Sequence, residues 1–391
     1  MKLYLYLKHF PSCGAPLVGG TAKAVHGLAS GLAACGANVT ILCEGAETED
    51  YQREDGLRVR CFQNRVRRPS FRLAPGLKRF IRSEQEPDLV ILNGQFHPSL
   101  YALATLLRKS STPYVVAPHM PYHPEIFKSK MVAKWCYWHL LERHLLAKAS
   151  AIQLLDGYHA AFLAKRKVGT NTMVVPNGYC DRDAATHLHV SAMRRSPIRL
   201  FYLGRMDAYS KGLDLLLMAF AELTGHVDAT LTLQGPDQGS RKALEKMAAQ
   251  LSITDRVTFL DSDYVSPSAV IFSQYDIFCL PSRNEGFSLA AIEAMLAGRA
   301  LLVSRIAGVA HYVEASDCGI VVSPTRASVL RGLESLVVRQ TEWPEMGSRG
   351  RRYAIDHLSW KNIAGAALEQ YEQLLDRNRP AAPPVSGRAY G

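Results

Sequence analysis

Short apolar runs alternate with helical-period segments along the whole chain, a pattern that confines it to parallel sheets with helices on both faces. The predicted strands of the first half are 2–7, 39–43, 89–92, 114–117, 152–155 and 173–175. The pattern then restarts at 199–203, 230–233, 257–260, 277–280, 300–303 and 320–322. Between the two sets, residues 176–196 carry an Asn-Gly turn, a polar composition and no sustained period, the character of a linker. A chain of 391 residues also exceeds one ordinary core. The reading is therefore α/β with two doubly wound domains: residues 1–180, a linker at 181–197, and residues 198–357. Ligands of such sheets bind beyond the carboxyl ends of the strands, so facing domains place the crevice between them. Residues 358–376 have helical spacing, with Trp360, Ile363, Leu368, Tyr371 and Leu374 on the apolar side. The Pro-, Gly- and Ala-rich segment 379–391 reads as a disordered tail.

Chemistry concentrates in residues 275–304, which read as strand, loop, helix and strand. Ser288 suits a helix N-cap and Gly298 a left-handed C-terminal cap. The amides of Phe287, Ser288 and Leu289 then lie at the positive end of a helix dipole, ready for a phosphate. Glu285 and Gly286 stand in the loop before the helix and Glu293 lies within it. Either glutamate alone is more simply a solvated residue. As a pair flanking phosphate-ready amides, they suit the two polyols of a nucleotide sugar. Upstream, Gly204-Arg205 follows the predicted strand 199–203, and Lys211-Gly212 precedes a helix, so two cations can converge on an oxygen-rich anion. In the first half, Gly19-Gly20 opens a helix and can admit a phosphate or an acceptor close to the backbone.

Two glutamates separated by seven residues, with these basic and glycine positions, resemble the retaining nucleotide-sugar glycosyltransferases of glycosyltransferase family 4. The similarity runs from the turn near Gly19 to the final helix. It implies the GT-B architecture, two facing Rossmann-like domains with the donor site in the interdomain cleft and the closing helix crossing back onto the first domain. It also implies that Arg205 and Lys211 hold the donor diphosphate beneath the Gly19-Gly20 loop, that Glu285 meets the hexose and that Glu293 meets the ribose. His119 would contact the transferred sugar, and Asp263, Tyr264 and Val265 would lie near the base. The family commonly has Gly after this histidine, whereas this chain has Met120 and then a second candidate, His123. His97 is a further candidate for acceptor contact, and Gly298-Arg299-Ala300 replaces the family's Gly-x-Pro.

The expected reaction is metal-independent, retaining transfer of a hexose from a nucleotide-diphosphate sugar to a hydroxyl of a glycan or lipid-linked acceptor. His119, Arg205, Lys211 and Glu285 are the expected catalytic set. No cofactor is expected, and the two cations take over the charge-neutralising role of a metal. An epimerase would need an acid/base set around the sugar C2, and a phosphorylase a pyridoxal-binding lysine; neither is identifiable. A basic nucleic-acid-binding protein is the rival outside enzymes, but recognition motifs are absent.

The net charge of +11 implies an anionic partner. Residues from Arg58 to Arg82 hold nine Arg and Lys and no acid, interleaved with Phe71, Leu73, Leu77, Phe80 and Ile81. A basic amphipathic helix over 74–81, lying on an anionic inner membrane leaflet, is the expectation from that composition. No apolar run approaches the roughly 20 residues that a membrane-spanning helix needs, and 1–7 is too short for a signal-peptide core, so a cytoplasmic location is expected. The eight scattered cysteines lack CxxC spacing and read as buried free thiols.

Overall fold

The structure is a computed structural model that describes residues 1–66, 69–83, 87–120, 122–128, 131–180, 184 and 196–378. The N-terminal sheet contains β1 (Lys2–Leu7), β2 (Asn38–Gly45), β3 (Glu49–Gln52), β4 (Arg58–Gln63), β5 (Leu89–Asn93), β6 (Tyr114–Ala117), β7 (Ala151–Leu154) and β8 (Thr172–Val174). Their order is β3-β4-β2-β1-β5-β6-β7-β8, with β3 antiparallel to β4 and the other pairs parallel. The C-terminal sheet contains β9 (Ile198–Leu203), β10 (Ala229–Gln234), β11 (Val257–Leu260), β12 (Ile277–Leu280), β13 (Ala300–Ser304) and β14 (Gly319–Val322). It is parallel throughout, in the order β11-β10-β9-β12-β13-β14. Strand order reverses between β1 and β5 and between β9 and β12, which opens a crevice at the carboxyl end of each sheet. Strands β5, β6, β7, β12 and β13 are buried at every position, as apolar runs between two helix layers should be.

All twelve expected strands are present, and β3 and β4 are additional. Their sequences, EDYQ and RVRCFQ, are masked by charge. The backbone ladder pairs them, and the charges meet across it: Arg58 and Arg60 both reach Asp50, at 2.7 and 3.1 Å, while Val59 and Cys61 face inward.

The same region corrects the expectation of a lipid-facing helix over 74–81. The helix Pro75–Ser83 forms, but Leu73, Leu77, Phe80 and Ile81 are buried, with Phe80 against Tyr4 and Phe62. The Arg60 guanidinium lies 4.3 Å from the Phe80 ring centre. Apolar side chains committed to the core cannot enter lipid; of the five, Phe71 is exposed. Arg67 and Arg68, the tail 379–391 and nearly all of the expected linker lie outside the described residues. Among the cysteines, Cys43, Cys61, Cys279 and Cys318 are buried as expected, whereas Cys13 and Cys136 are exposed and Cys35 and Cys180 partly so.

The closing helix Trp360–Asn378 lies against the first helix, Gly20–Ala34. A Cβ at Gly27 would come within 2.1 Å of the Trp360 indole nitrogen, so this glycine is required by the close approach of the indole. Farther along, the Tyr371 hydroxyl donates to Gln153 Oε1 at 2.5 Å. Before the helix, Tyr179 N–H donates to Leu358 O and Trp360 N–H to Tyr179 O, at 2.9 and 3.1 Å. The chain thus returns to the N-terminal domain and holds the two sheets face to face.

Candidate active site

The cleft between the domains contains a cavity of about 620 Å³. Its C-terminal wall is shared by the segment after β12 and the loops after β9, β10 and β11. Ser288 is the N-cap of the helix Leu289–Leu296, and its hydroxyl accepts from Ala291 N–H. Amides of the first turn have no intrahelical acceptor, and Ser288, Leu289 and Ala290 line the cavity. Asn177, from the other domain, donates to the Phe287 carbonyl at 2.7 Å and fixes the peptide that leads into this helix. At the far end Gly298 adopts φ 66°, and Arg299 is buried with its guanidinium donating to Ala297 O and Tyr275 O. A cation on the last carbonyls of a helix is favourable.

Lys211 and Glu285 are both buried and form an ion pair at 2.8 Å, with Ser282 Oγ donating to the same carboxylate oxygen at 3.3 Å. Glu285 thereby holds the ammonium in place, and the other two N–H donors of Lys211 are left for the cavity. Arg205, after β9, is exposed in the cleft. Gly204 lines the same cavity. Tyr264 lines the cavity at its β11 end. Asp263 lines it as well, and its carboxylate accepts the amides of Val265 and Ser266, both at 2.9 Å, and so organises the loop. The Ser266 hydroxyl, and after it those amide bonds, hold its pKa below the ordinary carboxylate value. The Val265 side chain is 94% exposed and lies outside the cavity lining.

The N-terminal wall is assembled from separate loops. Gly19 has φ 88°, and the space where a Cβ would stand at Gly20 is empty of protein, so both glycines leave room above the cavity. Lys23, one turn on, reaches Glu293 across the cleft at 3.6 Å. His119 lies after β6 in the left-handed region, φ 61°, and its carbonyl would be 2.4 Å from a Cβ at Gly286. Gly286 therefore supports the other domain at the point where the walls meet, and it does not line the cavity.

The tautomer of His119 follows from its partner. Its Nε2 lies 2.8 Å from Asn93 Oδ1, while Asn93 Nδ2 donates to the carbonyls of Tyr6 and Ile91. Oδ1 can only accept, so Nε2 carries the proton. Desolvation pushes the imidazole pKa down to about 4, and the ring is neutral with a lone pair on Nδ1. Such a histidine accepts a hydrogen bond and is not a proton donor toward the cavity.

The other two candidate histidines serve as caps. His123 Nδ1 accepts Glu125 N–H at 3.2 Å, and His97 is the N-cap of the helix Pro98–Lys109. Neither lines the cavity, whereas His9 and Met120 do. Sequence reading missed His9, Lys23, Asn93 and the Asn177–Phe287 bond. The only local signal was for Lys23, the one basic residue in the first turn after Gly19-Gly20.

Comparison with known proteins accords with this geometry. The family "Glycosyl transferase 4-like domain" matches residues 19–178, and "Glycosyl transferases group 1" matches residues 187–352. Over 181 residues the chain is 30% identical to an MMP alpha-(1->4)-mannosyltransferase of Mycolicibacterium hassiacum, covering 46% of this chain and 44% of that protein. The chain thus spans under half the length of that curated relative. Among solved structures, a sucrose-phosphate synthase from Thermosynechococcus elongatus has a TM-score of 0.76 at 20% identity, covering 96% of this chain and 99% of the other. Anabaena Alr3699/HepE in complex with UDP-glucose has a TM-score of 0.72 at 18% identity, covering 95% and 100%. Both sheets share the fold of these enzymes, and family matches cover both halves: the chain belongs to the family 4-type glycosyltransferases of GT-B fold.

Proposed function

We propose that this chain transfers a hexose from a nucleotide-diphosphate sugar to a hydroxyl of a glycan or lipid-linked acceptor, with retention of anomeric configuration and without a metal ion. The observation that carries this reading is the contrast between the cavity walls. One presents Arg205, Lys211 and the amides at a helix start; the other presents a neutral imidazole whose second nitrogen only accepts. A diphosphate suits the first and a sugar hydroxyl suits the second. HepE, of the same fold, binds UDP-glucose, which supports a nucleotide-sugar donor here.

The chemistry assigned to the chain is electrostatic. As the bond between the anomeric carbon and the phosphate oxygen breaks, negative charge grows on the leaving diphosphate, where Arg205, Lys211 and the helix amides stabilise it. The acceptor oxygen bonds to the anomeric carbon from the same face, and its proton passes to the departing phosphate oxygen. No protein nucleophile is consumed. Glu285 positions Lys211 through their 2.8 Å ion pair and stands beside the sugar. His119 Nδ1 accepts from a sugar hydroxyl, and Glu293 accepts from the ribose.

A hydrolysis and transfer assay with a panel of nucleotide sugars tests the reading. Turnover of at least one donor, in excess chelator, with an axial or equatorial product anomer matching that of the donor by NMR, is the expected result. Strict dependence on magnesium or manganese would reject the metal-free scheme, and an inverted anomer would reject retention.

A further inference from the structure

Exposed apolar side chains concentrate on a helical run that the expected site does not use. An α-helix, Met131–Tyr137, continues through a π turn, Trp138–Glu142, into a last α-helical turn, Arg143–Ala147. Trp138, Leu145 and Leu146 on one side are buried in the N-terminal core. On the other side Met131, Val132, Trp135 and Leu140 are 62, 73, 59 and 69% exposed. Met131, Val132 and Trp135 fall within about one helical turn and Leu140 follows five residues on through the π turn, away from the buried side, where a folded chain gains nothing from large apolar groups.

The surroundings are cationic. Between residues 131 and 148 the single acid is Glu142, and it is buried. His139, His144 and Lys148 are exposed, and Lys165 lies exposed on the segment that Arg143 joins through the Lys167 carbonyl at 3.4 Å. A symmetric pairing with a second copy would set this face against itself, cation toward cation, in a chain of net charge +11. An anionic lipid surface accepts both the apolar and the cationic groups.

We infer that the face formed by Met131, Val132, Trp135 and Leu140 docks the protein on an anionic phospholipid membrane, with the Trp135 ring at the level of the headgroups. This places membrane contact on a different surface from the helix Pro75–Ser83, whose apolar side chains are in the core. The preceding helix, Pro124–Lys128, borders the cleft: Glu125 accepts from the Tyr209 hydroxyl of the other domain at 2.8 Å. A surface-held acceptor is thereby brought to the cleft mouth. That last clause rests on the proposed transfer reaction; the docking does not.

Co-sedimentation of the full chain with vesicles of phosphatidylcholine, with and without phosphatidylglycerol, tests the inference. Pelleting should require phosphatidylglycerol, fall with added salt and shift tryptophan emission to the blue, and Trp135→Phe should abolish that shift. The triple variant Val132→Ser, Trp135→Ser, Leu140→Ser should partition about tenfold less or weaker still, with an unchanged melting temperature. Lys148→Glu with Lys165→Glu, two exposed changes, should weaken pelleting as well. The inference is overturned by absence of pelleting on anionic vesicles, by equal pelleting of the triple variant, or by a wild-type dimer that the triple variant dissolves. Vesicle binding by a chain that turns over no donor would leave the docking intact and remove the transferase reading alone.

Discussion

The two walls of the cleft are built by different means. On the C-terminal side, Glu285, Phe287, Ser288, Leu289 and Glu293 come from one continuous segment, whose geometry is set by a strand end and a helix cap, and Arg205, Lys211 and Tyr264 join it from the loops after β9 and β11. On the N-terminal side, Gly19 and Lys23 come from the loop and helix after β1 and His119 from the loop after β6, and a long-range bond from Asn93 at the end of β5 holds His119. The first kind of wall resists single substitutions geometrically and reports chemistry directly. The second depends on residues that never touch a ligand.

The largest expected effect is on the first wall. Arg205→Ala removes an exposed cation without orphaning a buried partner, so turnover should fall on the order of 10²–10³-fold with little change in melting temperature. Lys211→Ala is less clean, because it leaves the Glu285 carboxylate buried without its counter-ion. Single-turnover kinetics of Arg205→Ala showing a loss under about threefold would assign the leaving-group charge to the helix amides instead.

The second wall has its own support in Glu142. One carboxyl oxygen accepts from Phe96 N–H at 3.1 Å and the Tyr122 hydroxyl at 2.7 Å, joining the loops that follow β5 and β6. Burial pushes its pKa up from 4.5 to about 7. The folded chain thus keeps this proton to higher pH than the unfolded chain does. The resulting stabilisation is complete below about pH 4.5 and disappears as pH rises toward 7, a change of about 3 kcal/mol. Glu142→Gln keeps the acceptor oxygen and removes the titration, so denaturant midpoints measured from pH 5 to 8 should lose that slope. Equal slopes in the two proteins would show that the carboxyl is solvated.

A smaller effect separates positioning from contact on the same wall. Asn93→Leu removes the acceptor that fixes the proton on His119 Nε2. Turnover should drop about tenfold to a hundredfold through misplacement of the ring, with KM for the donor nearly unchanged. His119→Gln should cost more than Asn93→Leu; the reverse order would place Asn93 itself against the substrate.

This difference in construction also governs what the amino-acid pattern reveals. Strands buried on both faces, such as β12 with its run IFCL, declare themselves, and so do a Ser N-cap and a Gly C-cap that lie within one segment. β3 and β4 stay hidden because their outward positions carry Asp50, Arg58 and Arg60, which meet only once the strands have paired, a relation between residues that periodicity does not encode. The helix Pro75–Ser83 has the composition of a lipid-seeking element, yet tertiary packing turns its apolar side toward Tyr4 and Phe62. The same limit applies in the site. Asn93 sits 26 residues from His119 and Lys23 lies on the opposite domain from Glu293, so neither relation has a local signature. His123 and His119 are alike in sequence and differ only in what they face.

The weakest link between the walls gives the most discriminating comparison. Lys23 and Glu293 are 3.6 Å apart, and Lys23 is 46% exposed, so their attraction is worth under about 1 kcal/mol. Glu293 is assigned to the ribose; Glu293→Ala should therefore weaken donor affinity about tenfold, the loss of a charged acceptor, while the helix tolerates alanine well. Lys23→Met should change that affinity by no more than about threefold, because the lysine serves the carboxylate and not the donor. Titration calorimetry of each variant with the donor decides between the roles. An equal loss in Lys23→Met would mean that the first helix grips the phosphates through this side chain, and the N-terminal wall would then supply donor-binding charge as well as the sugar contact.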